Sequence, residues 1–562
     1  MEYITIKHAN ENNLKDVSVK IPLNEYVVFV GKSGSGKSTL VVNVITAGYI
    51  NKNEYVTVPY EPLLFKQKAF IPNSTQSIST FLGIKDSDII KHIKYLANCS
   101  EGKRNALLSI ATILSLDKMD MTKEIAELNL TVYNKCRFIK LLLKHTNTLL
   151  IIDELGAGLS VSESYKIAKC FRILVENGYS ILAVEHSLPI ISKSDYIVEL
   201  GPEAGEYGGE ITFNGTIDEY KKTNNWECMT KLLGLPEHQI SKLSKNITIN
   251  NINYRLFKSM NISIPLNGIV TICGQSGSGK SSLLDIVYRA CDKSASAWKN
   301  REGIDGSIEG KNNLRRPYLI DQVPIGNNTM STPATYTSIM DSIRNIYLNQ
   351  AEALGLSLNK SDFSYYSNGK CPVCNGKGSF EITTNDEIIF EQCKSCKGQR
   401  YNSKSLSVTE SEITIGDSLQ LSCQELFSIY AKDPKKKILS SKINFINQIG
   451  LAYLRLGQPS GSLSGGESQR IKITKELSKK LGDRCLFILD SPAKGLHMLD
   501  LPLVMNSLRK LVEKNNSVVI AENNPYFFKM SDWVIFLSDG KVIYSGIPSE
   551  CPPTMYNSIK WE

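Results

Sequence analysis

Short uninterrupted runs of apolar residues recur along the chain, and each ends at a glycine or an acidic residue. Such runs indicate strands covered on both faces, as in a parallel sheet flanked by helices, and not the alternation of a half-exposed strand. The runs lie at residues 27–30, 149–152, 181–184, 486–489 and 518–521, and a similar run at 270–273 contains one threonine. The pattern therefore predicts an α/β fold. It predicts no membrane span, because a span requires roughly 20 apolar residues.

The chain contains two copies of this pattern. Residues 27–40 read VVFVGKSGSGKSTL and residues 270–283 read VTICGQSGSGKSSL. Each copy continues with an apolar run that ends in aspartate and then with a further run, SILAVEHS or SVVIAENN. We therefore predict two homologous domains, residues 1–220 and 246–562, joined by a linker at 221–245.

The motif G-x-x-x-x-G-K-S follows a predicted strand in both copies. Its glycines let backbone N–H groups close around phosphate oxygens, the lysine reaches the terminal phosphates, and the serine hydroxyl binds Mg²⁺. ATP and Mg²⁺ are thus the expected ligands, and the aspartates that close the later strands are expected to assist the metal. The predicted binding residues are Gly31, Ser33, Gly34, Gly36, Lys37, Ser38, Thr39 and Asp153 in the first copy and Gly274, Ser276, Gly277, Gly279, Lys280, Ser281, Ser282 and Asp490 in the second.

The two copies differ just after these aspartates. The first copy continues with Glu154, whose carboxylate could orient or deprotonate an attacking water, whereas the second has Ser491. His186 follows the next strand of the first copy and is a candidate sensor of the terminal phosphate. A lone histidine is more often structural, but its place at a strand end favours the functional interpretation. Asn523 occupies the matching position in the second copy.

The amino-acid composition excludes few classes of protein. The chain has 562 residues, of which 42% are hydrophobic and 22% charged, as is usual for soluble globular proteins. The formal net charge of +9 is compatible with a polyanionic partner without requiring one. The N-terminal sequence has no apolar core of a signal peptide, so we expect a cytoplasmic protein.

Four of the 13 cysteines form two pairs, CPVC and CKSC. Two such pairs can supply four thiolates to a closed tetrahedral site, which predicts a structural Zn²⁺ in a module at residues 371–400. A redox-active CxxC is the weaker alternative. The segment between the pairs predicts a β-hairpin. The predicted ligands are Cys371, Cys374, Cys393 and Cys396.

A further glycine-containing segment, LSGGE at residues 463–467, opens a predicted helix with small residues whose N–H groups can face a phosphate. Together with the two P-loops, it resembles the signature of ABC ATPases. Residues 318–344, 455–470 and 200–210 and the cysteine pairs resemble UvrA, the family of damage-recognition ATPases of bacterial excision repair. The resemblance covers nearly all of the second half and, more thinly, both ends of the first. The nucleotide contacts that it implies are Ser464, Gly465, Gly466, Glu467, the Q-loop residue Gln322 and its first-half counterpart Gln67.

The chain departs from the UvrA pattern in its first half. UvrA proteins carry a long insertion there, with the UvrB-binding module and a first zinc module, whereas Lys37 and Asp153 are only 116 positions apart in this chain, with no cysteine pair between them. The resemblance therefore implies a shortened UvrA-like paralogue without UvrB binding. The first half also has no Ser-Gly-Gly signature, since residues 128–137 read LNLTVYNKCR.

In ABC ATPases the two domains pack head to tail, and each ATP lies between one P-loop and the other domain's signature. By this rule the first site would combine Glu154 and His186 with the intact signature. The second would combine Ser491 and Asn523 with residues 128–137, so that all three losses fall in one site. We expect one hydrolytic site and one that holds nucleotide without efficient turnover.

Two functions fit these expectations. The first is ATP-dependent binding of duplex DNA, in damage recognition or in protection from DNA-targeting antibiotics, by a homodimer without nuclease activity of its own. The second is an ATP-driven conformational change that acts on a protein or small molecule without DNA, which the missing insertion and modest basic surplus favour. Basic residues surround the predicted zinc hairpin, but acidic residues lie inside it, so a solvated surface is the alternative to a DNA contact. A transporter ATPase is a weaker third alternative, because the zinc module is foreign to that class.

Overall fold

A computed structural model describes most of the chain in two compact units. The described residues are 2–52, 54–68, 71–72, 74–84, 88–96, 99–145, 148–234, 243, 245–292, 305–321, 325–326, 330–384, 387–463, 465–477, 483–552 and 555. The first unit comprises Met1–Glu203, Gly208–Leu319 and Asp483–Glu562, and the second comprises Ala204–Tyr207 and Ile320–Gly482. Both P-loops therefore lie in the first unit, whereas the signature and the cysteine pairs lie in the second.

The first half of the chain builds two sheets in the first unit. Its strands are Tyr3–Ala9 (β1), Val17–Pro22 (β2), Tyr26–Val30 (β3), Val56–Thr57 (β4), Pro62–Lys66 (β5), Leu149–Asp153 (β6), Ser180–Val184 (β7), Tyr196–Gly201 (β8) and Glu210–Thr216 (β9). The larger sheet has the order β5-β6-β7-β3-β8-β9, and the smaller one has the order β2-β1-β4. The larger sheet is parallel except for β9, which pairs antiparallel with β8.

Helices connect these strands. They are Gly48–Ile50 (α1), Ile78–Leu82 (α2), Ile89–Lys94 (α3), Glu101–Ile113 (α4), Leu130–Lys144 (α5), Val161–Glu176 (α6), Leu188–Ile191 (α7), Ile217–Tyr220 (α8) and Asn224–Gly234 (α9), with a π-helical segment at Thr39–Ala47 and 3₁₀ turns at Leu116–Lys118 and Ile125–Glu127. Helix α6 begins where the Ser160 side chain accepts the N–H of Glu163 and the Glu163 carboxylate accepts the N–H of Ser160. Helix α9 lies inside the segment predicted as a linker, residues 221–245, and its Met229 is buried.

The second half repeats the two sheets and inserts further elements between them. Its strands are Asn246–Tyr254 (β10), Phe257–Pro265 (β11), Ile269–Cys273 (β12), Asp305–Glu309 (β13), Arg316–Ile320 (β14), Ser379–Thr384 (β15), Glu387–Gln392 (β16), Thr409–Glu410 (β17), Ile413–Thr414 (β18), Cys485–Asp490 (β19), Ser517–Ala521 (β20), Trp533–Ser538 (β21) and Lys541–Gly546 (β22). The repeated sheets have the orders β14-β19-β20-β12-β21-β22 and β11-β10-β13. Strand β12 thus occupies the position of β3, which confirms the duplication and the α/β fold.

The helices of the second half divide between the two units. They are Lys280–Cys291 (α10), Pro333–Tyr336 (α11), Ile339–Ala353 (α12), Ser403–Leu406 (α13), Asp417–Gln420 (α14), Cys423–Tyr430 (α15), Lys437–Ile446 (α16), Gly465–Leu477 (α17), Leu501–Val512 (α18) and Pro525–Lys529 (α19). A π-helical segment spans Asn447–Leu451, and 3₁₀ turns lie at Lys311–Asn313, Pro434–Lys436, Ser460–Ser462, Met498–Asp500 and Pro548–Glu550. The 3₁₀ turn Gly205–Tyr207 belongs to the first half of the chain and to the second unit. Helices α10 and α18 pack against strand β20 of the first unit.

The central strands of the first unit are buried along their whole length. Every residue of β3, β7 and β12 is buried, as expected for parallel strands covered on both faces. Among the helices of the described ranges, none has both the length and the apolar character needed to cross a bilayer.

The second unit has its own apolar core. Residues from α12, α15 and α16 contribute to it, including the buried Ile343, Tyr347, Leu426 and Ile443. Between the cysteine pairs, β15 and β16 form the predicted antiparallel hairpin.

Candidate nucleotide sites and cysteine cluster

The first P-loop closes tightly after strand β3. The Nζ atom of Lys37 donates to the carbonyl oxygens of Gly31 and Lys32, each at 2.7 Å, so its ammonium lies over the loop where phosphate would bind. A Cβ atom on Gly31 would come within 2.1 Å of the carbonyl oxygen of Leu200, which explains why only glycine fits there. The motif glycines of both loops share positive φ angles: Gly31, Gly34, Gly36, Gly274, Gly277 and Gly279.

The residues predicted to hold Mg²⁺ meet at the first site. Ser38 Oγ donates to Asp153 Oδ1 at 3.2 Å, and Thr39 begins the helical segment that follows the loop. Burial raises the pKa of Asp153 to about 6, with a further contribution from the neighbouring Glu154 and opposition from Lys66. A hydroxyl and a carboxylate in contact are the donor set that a P-loop offers to Mg²⁺.

Glu154 and His186 also meet at this site. Glu154 has a left-handed φ of 57°, and its backbone N–H donates to the carbonyl oxygen of Val184 at 3.0 Å. This turns its side chain off the end of β6 toward the end of the neighbouring β7. There the Nε2 atom of His186 lies 3.6 Å from Glu154 Oε1. The sheet thus brings together two residues that are 32 positions apart in the sequence.

A third acidic residue at this edge, Glu185, was missed by the sequence analysis. Its Oε1 accepts the N–H of Gly156 at 2.7 Å, and burial raises its pKa to about 8. Glu522 is its second-half counterpart and accepts the N–H of Ala493 at 2.9 Å. The signal was present, because both copies have a glutamate directly after this strand. The two glutamates support the turns that follow Asp153 and Asp490.

Gln67 lies close to the same turn. Its Nε2 atom donates to the carbonyl oxygen of Ala157 at 3.1 Å, and its backbone N–H donates to the carbonyl oxygen of Asp153 at 3.4 Å. Gln67 therefore sits beside the predicted metal ligand. Gln322, its predicted counterpart, lies outside the described residues.

The second P-loop repeats the geometry of the first. Lys280 Nζ donates to the carbonyl oxygens of Gly274 at 2.5 Å and Gln275 at 2.9 Å, and burial lowers the pKa of its ammonium. Ser281 and Ser282 lie in the first turn of α10. A phosphate cradle is therefore present in both halves.

Neutral residues stand after β19 and β20 at the positions that match Glu154 and His186. Ser491 Oγ donates to Asp490 Oδ1 at 3.1 Å, in the position that Glu154 takes after Asp153. Asn523 Oδ1 accepts the N–H of Gly274 at 3.2 Å, so this side chain is tied to the P-loop. Two neutral side chains thus replace a carboxylate and an imidazole.

The second half contributes a loop to the first site. Ser33 donates its N–H to Asp500 Oδ2 at 3.2 Å and its hydroxyl to the carbonyl oxygen of Gly495 at 3.3 Å. The imidazole of His497 lies edge to face with His186, with ring centroids 5.9 Å apart. The loop that follows β19 therefore lies against the P-loop of the other half, as in the predicted head-to-tail packing.

The first half contributes to the second site in the same way. Ser276 Oγ donates to Glu163 Oε2 at 2.8 Å and lies 3.4 Å from Thr131 Oγ1. Thr131 is in the first turn of α5, which Asn129 caps by accepting the N–H of Val132 at 2.9 Å. The segment predicted as a degenerate signature, residues 128–137, thus starts a helix at the second P-loop with bulky side chains.

The intact signature lies in the second unit. Ser464 is outside the described residues, and α17 begins at Gly465 and includes Gly466. Glu467 Oε1 accepts the hydroxyl of Tyr453 at 2.7 Å. The pairing of this signature with the first P-loop stays a prediction.

The four paired cysteines form a buried cluster in the second unit. The sulfur atoms of Cys371, Cys374, Cys393 and Cys396 all lie within 4.8 Å of one another. The N–H of Gly378 donates to Cys374 Sγ at 3.2 Å, which stabilises thiolate character. Four converging sulfurs are the donor set of a closed structural Zn²⁺ site.

Comparisons with known proteins agree with this geometry. A family model described as "ABC transporter" matches residues 14–155. The UvrABC system protein A of Helicobacter pylori (strain ATCC 700392 / 26695) is 36% identical over 419 residues, which cover 72% of this chain and 44% of that protein. The corresponding protein of Aquifex aeolicus (strain VF5) is 35% identical over 421 residues, covering 72% and 45%. The chain thus spans less than half the length of these curated relatives.

A solved structure extends the fold comparison to the whole chain. The crystal structure of UvrA2 from Deinococcus radiodurans matches with a TM-score of 0.82 and 19% identity, covering 99% of each chain. By its two P-loop cores, its four-cysteine cluster and these similarities, the chain is a UvrA-like ABC ATPase.

Proposed function

We propose that the protein binds ATP with Mg²⁺ at both P-loops, hydrolyses it at the first, and uses it to control the binding of duplex DNA. The role of that binding is damage recognition or protection from DNA-targeting compounds. The observation that carries the proposal is the difference between two matched strand ends. Glu154 and His186 lie together beside the first P-loop, whereas Ser491 and Asn523 stand at the matching positions of the second.

At the first site each group has a distinct role. Lys37 neutralises charge on the terminal phosphates, while Ser38 and Asp153 hold Mg²⁺. Glu154 orients the attacking water and takes its proton, and His186 donates a hydrogen bond to the terminal phosphate. Phosphoryl transfer depends mainly on positioning and charge stabilisation, and both strand ends are fixed by the sheet.

At the second site the P-loop supports binding without rapid turnover. Lys280 and the loop N–H groups are in place for phosphate. A serine hydroxyl at position 491 is too weak a base to activate water, and Asn523 is engaged with Gly274. A nucleotide bound there would act as a long-lived structural ligand.

Substitution of the first-site carboxylate tests the assignment. Glu154→Gln keeps the size of the side chain but removes the base, and we expect the single-turnover rate of ATP hydrolysis to fall about 10²- to 10⁴-fold. Ser491→Ala is the matched control in the second half and should change the rate by less than about 2-fold, because that hydroxyl has no catalytic role here. Retention of most activity by Glu154→Gln would refute the assignment.

DNA binding is supported by the similarity to UvrABC system protein A and by the net charge of +9. Fluorescence anisotropy with plain and damaged duplexes, in ATP and in ADP, tests it. We expect nucleotide-dependent binding whose affinity falls steeply between about 50 and 200 mM salt, because phosphate contacts release counterions. No duplex binding with either nucleotide would instead support a conformational module that acts on a protein or small molecule.

The remaining parts of the proposal rest on the resemblance to UvrA proteins and on the cysteine cluster. The four thiols hold one structural Zn²⁺, the chain forms a homodimer in the cytoplasm, and UvrB is not a partner because the corresponding insertion is missing. Metal analysis of the purified protein should give about one zinc per chain, and Cys371→Ser should remove it.

A further inference from the structure

The loop that follows β19 differs from its first-half counterpart at one charged position. Residues 490–497 read DSPAKGLH and residues 153–160 read DELGAGLS. Lys494 therefore stands four residues after its strand aspartate, where the first half has Ala157. Of the two matching loops, only the one in the second half has a lysine at this position.

Lys494 and Gly495 of this loop lie close to residues of the first site. A Cβ atom added to Gly495 would lie 2.9 Å from Glu154 Oε2, and one added to Gly158 would lie 3.7 Å from Lys494 Cδ. The Gly495 carbonyl also accepts the hydroxyl of Ser33. The two halves thus interlock so that the Lys494 stem runs beside the loop that begins at Glu154.

The Lys494 side chain is buried, with 9% of its surface exposed. Burial lowers the pKa of its ammonium, and among the charges that oppose this effect Glu154 is the largest and Asp490 the second. A buried ammonium is tolerated where carboxylates compensate it. The carboxylates that compensate Lys494 thus include Glu154, which is proposed as the base of the first site.

We propose that Lys494 is a positioning residue for the first ATP site, supplied by the second half of the chain, which holds the Glu154 carboxylate in the orientation that activates water. This inference rests on the proposed function of Glu154. It gives the loop at residues 491–500 a role in hydrolysis, although this loop begins with Ser491 where the matching loop of the first half begins with Glu154. It also makes hydrolysis at the first site depend on contact between the two halves.

Positioning makes a different kinetic prediction from direct binding of the nucleotide. Lys494→Met removes the charge while keeping most of the stem, so kcat should fall roughly 10- to 100-fold, as for other small misplacements of reacting groups. The KM for ATP should stay within about 2-fold, because a residue that acts only by positioning Glu154 leaves the binding of ATP unchanged. Lys494→Arg keeps a cation and should recover part of kcat. Lys514→Met, at an exposed lysine of the same half, is the matched control.

A double mutant tests whether Lys494 acts through Glu154. In the Glu154→Gln background, Lys494→Met should cause no further loss of turnover, since the group it positions is gone. Thermal unfolding and binding of a fluorescent ATP analogue to each variant establish that the fold is intact. If Lys494→Met is unstable, Lys494→Gln replaces it in the same series.

The outcomes separate this inference from the assignment on which it rests. If Glu154→Gln keeps full activity, the proposed first-site chemistry fails. If Glu154→Gln is inactive while Lys494→Met resembles Lys514→Met, only the inference fails. A raised KM with unchanged kcat would also overturn it, since that result would place Lys494 on the nucleotide.

Discussion

The two nucleotide sites share a backbone and differ in their chemistry. Glu154 and Ser491 have φ angles of 57° and 53°, and their N–H groups donate to matching carbonyl oxygens of the neighbouring strand at 3.0 and 2.8 Å. Lys37 and Lys280 fold back over their loops in the same way. The comparison shows that the backbone of a site can be kept while its side chains change. The backbone conformation of each site depends on strand pairing and on glycines, whereas the chemistry that the site can perform depends on a few side chains.

The two segments compared as signatures add a second difference. At the second P-loop, α5 begins with Leu130 and Thr131, whose side chains restrict the approach of a phosphate to the helix N-terminus. The first turn of α17 instead carries Gly465 and Gly466. Bulky residues therefore start the helix in the first half where the matching helix of the second half starts with glycines.

The largest predicted contrast comes from removing each P-loop lysine. Lys37→Ala should lower ATP turnover about 10²- to 10³-fold, as expected when a preorganised charge at the phosphates is lost. Lys280→Ala should change ATP turnover by no more than a few-fold, because it affects only the second site. It should also remove the slow phase of nucleotide release, because the second site would no longer hold its nucleotide. Steady-state ATPase assays and release of a fluorescent nucleotide measure the two effects. Equal losses of turnover in both variants would contradict the asymmetry.

A smaller loss of ATP turnover is expected for a substitution that makes the first site resemble the second at one position. His186→Asn introduces the residue found at position 523, and kcat should fall about 10²-fold, the lower end for a lost charge-stabilising donor. Single-turnover hydrolysis with saturating ATP is the measurement. An unchanged rate would mean that His186 supports the structure only.

The smallest effect is predicted for the reverse exchange. Ser491→Glu together with Asn523→His restores both side chains on a backbone that already has the required φ angle, yet turnover should rise by less than about 3-fold. The reason is that catalytic groups act as a unit, and α5 still lacks its phosphate-facing residues. The assay is run in the Lys37→Ala background, where the first site is silent. A large gain there would show that the helix end is dispensable.

Several features were predictable because their motifs are local. The P-loops, the aspartates that end β6 and β19, and the cysteine pairs each occupy a few consecutive residues with a fixed spacing. The hairpin β15–β16 followed from alternation over a dozen residues. In these cases neighbouring residues determine the backbone, so the sequence carries the information directly.

Other features were not accessible in this way. A glutamate follows this strand in both copies, but its hydrogen bond to the turn at Gly156 is seen only in the folded chain. The contact of Asp500 with Ser33 joins residues that are 467 positions apart. No pattern within either segment indicates such a partner, because each segment would fold locally in the same way without it.

Sequence patterns were sufficient to predict the duplicated α/β cores, the two P-loops, the four clustered cysteines and the unequal residues at the strand ends. Which segments meet became visible only in the folded chain, where Lys494 lies beside the loop that begins at Glu154 and α5 begins at the second P-loop. The physical reason is that motifs are encoded by short-range backbone preferences. Contacts between the halves depend on the packing of surfaces that lie far apart along the chain.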